Sequence, residues 1–203
     1  ALQLQTQLVE RAAGEAERGA ALDELKRGLQ RTGHTVQQLL TLARLEPGAV
    51  SMPSVRVELA TLAREAVVEQ ARVAEARDID LGLAEVDSRA VVMGDAEALR
   101  ILLSNLLANA LRYTPRGGRV DVSCRMRDGQ PVLEIADTGC GIPEAERERV
   151  FDRFYRRPGE QESGSGLGLA IVRAIADRHD AVVSLHAAQG GGLLARVVFP
   201  TFE

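Results

Sequence analysis

The chain has 203 residues, of which 45% are hydrophobic, and its formal net charge is −4. This size allows one large or two small globular domains, and the negative balance argues against a protein whose main task is to bind nucleic acid phosphates. No apolar run approaches the roughly 20 residues of a membrane-spanning helix, so the chain as given is expected to be soluble. Cys124 and Cys140 lack zinc-ligand spacing and are expected to be free thiols.

The first 45 residues are predicted to form a helical hairpin, because they contain no proline and alternate charged residues with Leu and Ala. Residues 14–21 interrupt the pattern, so the second arm is expected to run from Leu22 to Leu45. Its apolar seam steps by four and three residues, as in helices that pack along one another. The seam is Leu25, Leu29, Thr32, Val36, Leu39 and Ala43. Two short helices bury little surface, so a four-helix bundle made by two chains is expected.

Residues 48–53 are rich in Pro and Gly and are predicted to link the hairpin, residues 1–47, to a second domain, residues 54–203. In the second domain, strands and helices follow one another without strict βαβ alternation. Strands are predicted at 55–59, 78–85, 90–93, 120–126, 132–136, 182–187 and 193–199, and helices at 60–76, 96–112 and about 166–179. The expected fold class is α+β: a two-layer α/β sandwich with helices on one face of a mixed sheet, preceded by the helical hairpin.

Four polar residues share one stripe of the helix that precedes residue 114. Asn105 and Asn109 are one turn apart, and Arg112 and Tyr113 follow on the same side. An amide oxygen can bind Mg²⁺ without repelling a polyphosphate, an arginine offers a donor fork to phosphate, and a tyrosine offers a face to a base or ribose. Taken alone, two asparagines on a helix also fit a solvent-facing surface.

The segment Asp-Thr-Gly-Cys-Gly-Ile-Pro at residues 137–143 follows a predicted strand. Its glycines, Gly139 and Gly141, allow the backbone to turn and to approach a ligand closely. The carboxylate of Asp137 can accept a hydrogen bond from an adenine amino group, and a site built on that bond rejects a base without the donor. An ordinary turn that contains an aspartate is the alternative.

A second glycine-rich segment, Gly-Ser-Gly-Leu-Gly-Leu at residues 164–169, ends a long loop and begins a helix. Bare N–H groups at a helix N-terminus bind phosphate. In a Rossmann site the glycines follow the first strand directly, so dinucleotide binding is disfavoured. Between the two glycine segments, Phe151, Phe154 and Arg156 belong to an aromatic and basic cluster in a loop long enough to act as a lid. Alone, this cluster also fits a surface helix.

In this order and separation, the four segments resemble the N, G1, F and G2 boxes of sensor histidine kinases of two-component systems, members of the Bergerat or GHKL ATPase superfamily. The resemblance covers about residues 53–200, and residues 36–47 resemble the second dimerisation helix of membrane sensor kinases. It implies a Bergerat ATP-binding fold in the cytoplasmic portion of a bacterial inner-membrane sensor, with membrane attachment only through segments absent from this chain. The implied partners are ATP, a response-regulator receiver domain and a second copy of the chain, and the implied cofactors are ATP and Mg²⁺.

Carried over position by position, the resemblance assigns catalysis to Asn105, Asn109 and Arg156, with Mg²⁺ on Asn109 and Asn105 beside it. Asp137 would accept from adenine, and Phe151 and Phe154 would dock the lid. The implied ATP-binding residues are Asn109, Arg112, Tyr113, Asp137, Gly139, Gly141, Ile142, Phe151, Phe154, Arg156, Gly164, Ser165, Gly166, Leu167, Gly168 and Leu169.

Two departures refine the implied activity. Superfamily members that hydrolyse ATP, such as gyrase and Hsp90, carry a glutamate where this chain has Asn105, and without that base phosphoryl transfer is favoured over hydrolysis. The phosphate-accepting histidine of the kinases, followed by an acidic residue and a proline, is missing, and Ala1 would begin just after it. The implied activity is transfer of the ATP γ-phosphoryl group to a histidine outside this sequence, for relay to an aspartate of a response regulator. A nucleotide-binding dimerisation module without transfer and a GHKL-type ATPase are the alternatives.

Overall fold

The computed structural model describes residues 6, 7, 9, 14–45, 53–157 and 164–201. The chain divides into two compact units, Ala1–Ala43 and Arg44–Glu203. The predicted linker falls almost entirely outside the described residues, so the predicted domain boundaries stay predictions. In the part of the chain that the structure describes, no helix is both long and apolar enough to cross a membrane.

One long helix, α1 (Glu15–Leu45), makes up most of the described part of the first unit. It begins at Glu15 rather than at the predicted Leu22, so the prediction that residues 14–21 interrupt the helix is wrong. Gly19 costs a helix about 1 kcal/mol, but Glu15 and Glu17 lie in the first turn, where acidic side chains favour the helix N-terminus. Most of the predicted first arm lies outside the described residues.

The second unit contains a mixed sheet of five strands in the order β2-β4-β5-β7-β6, and a separate antiparallel pair, β1 and β3. Strands β2 and β4 are parallel, and the other neighbours in the five-stranded sheet are antiparallel. In chain order the elements are β1 (Val55–Glu58), α2 (Leu59–Ala76), β2 (Asp80–Val86), β3 (Val91–Gly94), α3 (Ala96–Tyr113), β4 (Arg119–Arg127), β5 (Gln130–Asp137), α4 (Gly168–Arg178), β6 (Val182–Ala187) and β7 (Leu193–Val198).

Helices α2, α3 and α4 cover one face of the five-stranded sheet. Alternate residues of β4, Val120, Val122 and Cys124, are fully buried, whereas the residues between them are partly exposed. Such alternation places one face of a strand in the core and the other toward solvent. The buried stripe of α3 meets that face through a run of leucines: Leu99, Leu102, Leu103, Leu106, Leu107 and Leu111. The predicted two-layer α+β architecture is therefore confirmed.

Local sequence signals explain the ends of the site-bearing elements. The Oδ1 atom of Asp95 accepts from the N–H groups of Glu97 at 3.0 Å and Ala98 at 3.1 Å, which starts α3 where the cap was predicted. Asp128 and Gly129, with φ of 51° and 81°, form the tight turn between β4 and β5. These short-range signals fix where α3 and β5 begin, and both elements carry predicted site residues in their C-terminal parts.

Candidate functional site

The start of α4 faces the two asparagines of α3. A Cβ atom placed on Gly168 would lie 3.2 Å from Oδ1 of Asn105 and 3.6 Å from Nδ2 of Asn109. Nδ2 of Asn105 donates to the carbonyl of Ile101 at 2.8 Å, which leaves its Oδ1 atom on the side of Gly168. The side chain of Asn109 has no hydrogen-bond partner among the residues described. Two amide groups therefore border the first turn of α4.

The first turn of α4 has the features of an anion site. The cap residue of α4 is Leu167, whose side chain cannot accept from the first N–H groups of the helix. Uncapped N–H groups at a helix N-terminus favour negative charge. The guanidinium of Arg112 reaches the preceding glycine segment, with Nη1 2.5 Å from where a Cβ atom of Gly164 would stand. The glycine segment, Asn109 and Arg112 thus lie together, as their predicted phosphate-binding roles require.

Asp137 ends β5 and is buried, with only 6% of the residue exposed. Its Oδ1 atom accepts from the N–H of Gly139 at 2.8 Å and from the N–H of Leu193 at 3.2 Å. Burial raises the pKa of this carboxyl, and the two backbone hydrogen bonds act in the opposite direction. No described donor bonds to Oδ2. One oxygen is therefore held by the protein, and the other is left to accept from a ligand.

The turn between β6 and β7 supplies part of this site, and the sequence interpretation missed it. Gly192 has φ of 88°, and a Cβ atom on it would overlap the carbonyl oxygen of Asp137. A Cβ atom on Gly141 would stand 2.9 Å from the carbonyl oxygen of Gly192. The turn therefore packs directly on the Asp137 loop. The run of three glycines at residues 190–192 was the signal that could have identified it.

The end of α3 joins the Asp137 loop to the asparagines. A Cβ atom on Gly139 would lie 2.5 Å from the carbonyl oxygen of Tyr113, so only glycine fits there without displacing α3. Tyr113 is the last residue of α3 and is one turn beyond Asn109. The C-terminal half of α3 therefore contacts both glycine segments.

The aromatic and basic cluster is divided between core and surface. Phe151 is buried, and the guanidinium of Arg173 stacks on its ring at 4.1 Å from the centroid. Phe154 is 60% exposed. Its backbone has φ of 64°, and its N–H donates to the carbonyl of Gly166 at 2.9 Å. The backbone of Phe154, rather than its ring, contacts the glycine segment. Arg156 is exposed, and residues 158–163 lie outside the described part of the chain.

The remaining predicted residues lie in the two glycine segments and are buried, half-buried or bonded through their backbone. Leu167 is fully buried in the core, and its N–H donates to Oγ of Ser165 at 3.2 Å, while Leu169 is half-buried. The carbonyl of Ile142 accepts from Nε of Arg147 at 3.1 Å, and the carbonyl of Gly141 accepts from Arg157 at 3.0 Å. These contacts fix the loops on both sides of the candidate site.

Comparison with known proteins identifies the fold. Residues 94–203 match the family described as histidine kinase-, DNA gyrase B-, and HSP90-like ATPase. The chain belongs to this ATPase family. Its second unit is an ATP-binding domain of the sensor histidine kinase type, and the expected Bergerat fold is confirmed.

Within this ATPase family the chain is similar to sensor kinases. It is 38% identical over 179 residues to the sensor protein kinase PmrB of Pseudomonas aeruginosa, covering 87% of this chain and 37% of PmrB. The solved structure of the mycobacterial sensor histidine kinase MprB is 34% identical, with a TM-score of 0.62, and covers 72% of this chain and 97% of that one. The ATP-binding domain of PrrB from Mycobacterium tuberculosis is 28% identical, with a TM-score of 0.62 over 75% of this chain and all of that one. The chain thus spans well under half the length of PmrB.

Proposed function

We propose that this chain binds ATP with Mg²⁺ and transfers the γ-phosphoryl group to a histidine side chain, as the catalytic region of a sensor histidine kinase. The observation that carries the proposal is the meeting of three segments along the C-terminal half of α3. The asparagines face Gly168, Arg112 faces Gly164, and Tyr113 abuts Gly139 beside Asp137. Membership of the ATPase family supports ATP as the ligand.

In this proposal the adenine end of the site is Asp137. Its Oδ1 atom is held by two backbone N–H groups, so Oδ2 is the oxygen that accepts from the adenine amino group. A buried acceptor without its donor is costly, so the site discriminates against bases that lack an amino group at that position. Gly139 and Gly141 keep side chains away from the base, and the turn at Gly192 closes the opposite side of Asp137.

At the other end, the N-terminus of α4 and Arg112 bind the phosphates. Arg156 is exposed on the lid and would reach them from that side. The donor set also fits Mg²⁺, because Asn109 and Asn105 present neutral amide groups at the phosphate end. No group of three or more His, Cys, Asp or Glu side chains is placed to hold a metal among the described residues. Bound there, Mg²⁺ would neutralise the charge of the β- and γ-phosphates.

Transfer to a side chain is favoured over hydrolysis by the chemistry of Asn105. Its amide cannot take a proton from water, and its Nδ2 group is already used in the bond to Ile101. A water molecule at the γ-phosphate therefore lacks a base in this position. A histidine imidazole needs no such base to attack, because it is a nucleophile in its neutral form. The phosphohistidine would then pass its phosphoryl group to the receiver domain of a response regulator.

The helical unit supports a dimer as the working form. Three large residues of the predicted seam are exposed, Leu29 by 54%, Val36 by 50% and Leu39 by 43%. Burying such a row against a second copy removes apolar surface from water. We propose residues 1–47 as the dimerisation hairpin, 48–53 as the linker and 54–203 as the catalytic domain. In the complete protein they would form the cytoplasmic portion of an inner-membrane sensor.

The test is phosphotransfer from radiolabelled ATP to a separate helical hairpin that carries an acceptor histidine, with and without Mg²⁺. We expect the chain to bind ATP, to show little self-labelling and to label the hairpin as acid-labile phosphohistidine only with Mg²⁺. An acceptor with that histidine replaced by alanine is the control. Steady release of inorganic phosphate without labelling would indicate an ATPase instead. Tight ATP binding with neither labelling nor hydrolysis would indicate a nucleotide-binding module.

A further inference from the structure

The end of α3 depends on a residue from another helix. Leu111 lies in the last turn of α3, where backbone carbonyls lose their donors within the helix. The residue four positions later is Pro115, which has no N–H to give. Nη1 of Arg77 instead donates to the carbonyl of Leu111 at 2.6 Å. Arg77 directly follows α2, and its side chain is half-buried in this contact.

Two further hydrogen bonds join the same segments. The N–H of Gly117 donates to the carbonyl of Asp78 at 2.6 Å, and the N–H of Asp80 donates to the carbonyl of Gly118 at 2.9 Å. Asp78 has φ of 57°, so the chain turns sharply after Arg77. Residues 77–80 therefore bind residues 111–118 through one side-chain and two backbone contacts. Of these, only the arginine contact lies within α3 itself.

The turn that Arg77 holds is the one that carries the candidate site. Asn109 lies two residues before Leu111, and Tyr113 lies two residues after it. The carbonyl of Tyr113 packs so closely on Gly139 that a shift of this turn must move the Asp137 loop as well. The positive charge of Arg77 also stands at the negative end of the α3 dipole. Loss of the contact would let the last turn fray and would loosen both ends of the site.

From these contacts we infer that Arg77 is a positioning residue for nucleotide binding, acting through the carbonyl of Leu111. It holds Asn109, Arg112 and Tyr113 against the two glycine segments without touching the nucleotide. The inference rests on the proposed ATP site. Arg77 lies outside the four segments that resemble the N, G1, F and G2 boxes, so it is a further residue on which the site depends.

The experiment compares three variants of the full chain. Arg77→Met keeps the length of the side chain but removes its donors, and Arg77→Lys keeps a charged donor. Leu62→Ala removes a buried side chain near the start of α2 and serves as a control for lost stability. Titration calorimetry measures the dissociation constant for MgATP at a temperature where all variants are folded. Amide hydrogen exchange at residues 110–114 reports directly on the last turn of α3.

We expect Arg77→Met to bind MgATP about tenfold more weakly, which corresponds to about 1.4 kcal/mol, and to exchange faster at residues 110–114. Arg77→Lys should restore most of the affinity, and Leu62→Ala should bind like the wild type. Equal affinity of Arg77→Met and wild type, or an equal loss in Leu62→Ala, would overturn the inference. If the wild type fails to bind MgATP, the proposed function fails. Hydrogen exchange still tests Arg77 in that case, because it needs no nucleotide. Unchanged exchange at residues 110–114 in Arg77→Met would show that Arg77 does not hold the last turn of α3.

Discussion

At the scale of single residues, Asp137 uses its two carboxyl oxygens differently. Oδ1 is fixed by the backbone N–H groups of Gly139 and Leu193, and Oδ2 remains available. A carboxyl group buried to this degree is costly in its ionised form. Burying this group therefore lowers the stability of the fold, and in return the site gains a strong and selective hydrogen-bond acceptor.

Replacement of Asp137 by asparagine should separate binding from stability. The new amide can still accept from Gly139 and Leu193, but its NH₂ group would face the adenine amino group. We expect MgATP affinity to fall by about 1–3 kcal/mol, roughly tenfold to hundredfold. Calorimetric titration measures this loss, with Asp128→Asn in the exposed β4–β5 turn as the control. Unchanged affinity in Asp137→Asn would remove Asp137 from the site.

The difference in stability between the wild type and the same variant should depend on pH in a defined direction. Burial raises the pKa of Asp137 above its ordinary value of 3.8. The favourable contribution of this group is therefore complete below that value and is lost as pH rises through the raised pKa. At pH 7 the nucleotide-free Asp137→Asn variant should resist urea at least as well as the wild type, and its advantage should shrink as the solution is acidified below the raised pKa. A marked loss of stability at pH 7 would contradict this account.

At the scale of elements, the site depends on where α3 ends and α4 begins. Local chemistry predicted where the site-bearing elements begin. The Asp95 cap, the Asp128–Gly129 turn and the glycines before α4 are short-range signals, and the elements begin and end close to them. The turn at Gly192 and the contact of Arg77 with Leu111 join segments more than 30 residues apart in the sequence. No local pattern encodes such pairings, so they required the folded structure.

Gly168→Ala should raise the helix propensity of α4 but crowd and weaken the site. Alanine is better than glycine in a helix by up to about 1 kcal/mol. The added Cβ would stand 3.2 Å from Oδ1 of Asn105, so the amide groups must shift. Crowding of this kind costs about 1–3 kcal/mol, which cancels the gain in helix propensity, so we expect no rise in thermal stability and roughly tenfold weaker MgATP binding. Gly33→Ala in α1, where the added Cβ meets no atom within 4 Å, is the matched control and should bind normally. Normal binding by Gly168→Ala would show that this face does not contact the nucleotide.

At the scale of the whole molecule, the chain combines an ATP-binding unit with a helical unit that leaves apolar residues exposed. The order of the predicted strands and helices was enough to predict the α+β class and the helix-covered sheet. The predicted interruption at residues 14–21 is wrong, because favourable charges in the first turn support a helix from Glu15 onward. The pairing of β1 with β3, apart from the main sheet, also had no counterpart in the sequence interpretation.

The exposed seam predicts self-association through α1. Val36→Arg would place a charge in the middle of the apolar row, and Gln30→Arg adds the same charge at an exposed position off the seam. Because a charge is costly to bury, we expect Val36→Arg to weaken the dimer at least about tenfold and Gln30→Arg to leave it unchanged. Sedimentation equilibrium measures both dissociation constants. A wild-type chain that stays monomeric at all accessible concentrations would contradict the proposed dimer.

In the proposed site, one nucleotide contacts all three segments at once. The most direct measurement is the change in NMR signals of the full chain on titration with Mg²⁺ and a non-hydrolysable ATP analogue. If one nucleotide spans the site, the side-chain amide of Asn109 and the backbone amides of Gly139 and Gly166 will shift together and yield one dissociation constant. Shifts confined to one of these residues, or saturation at different ligand concentrations, would contradict it.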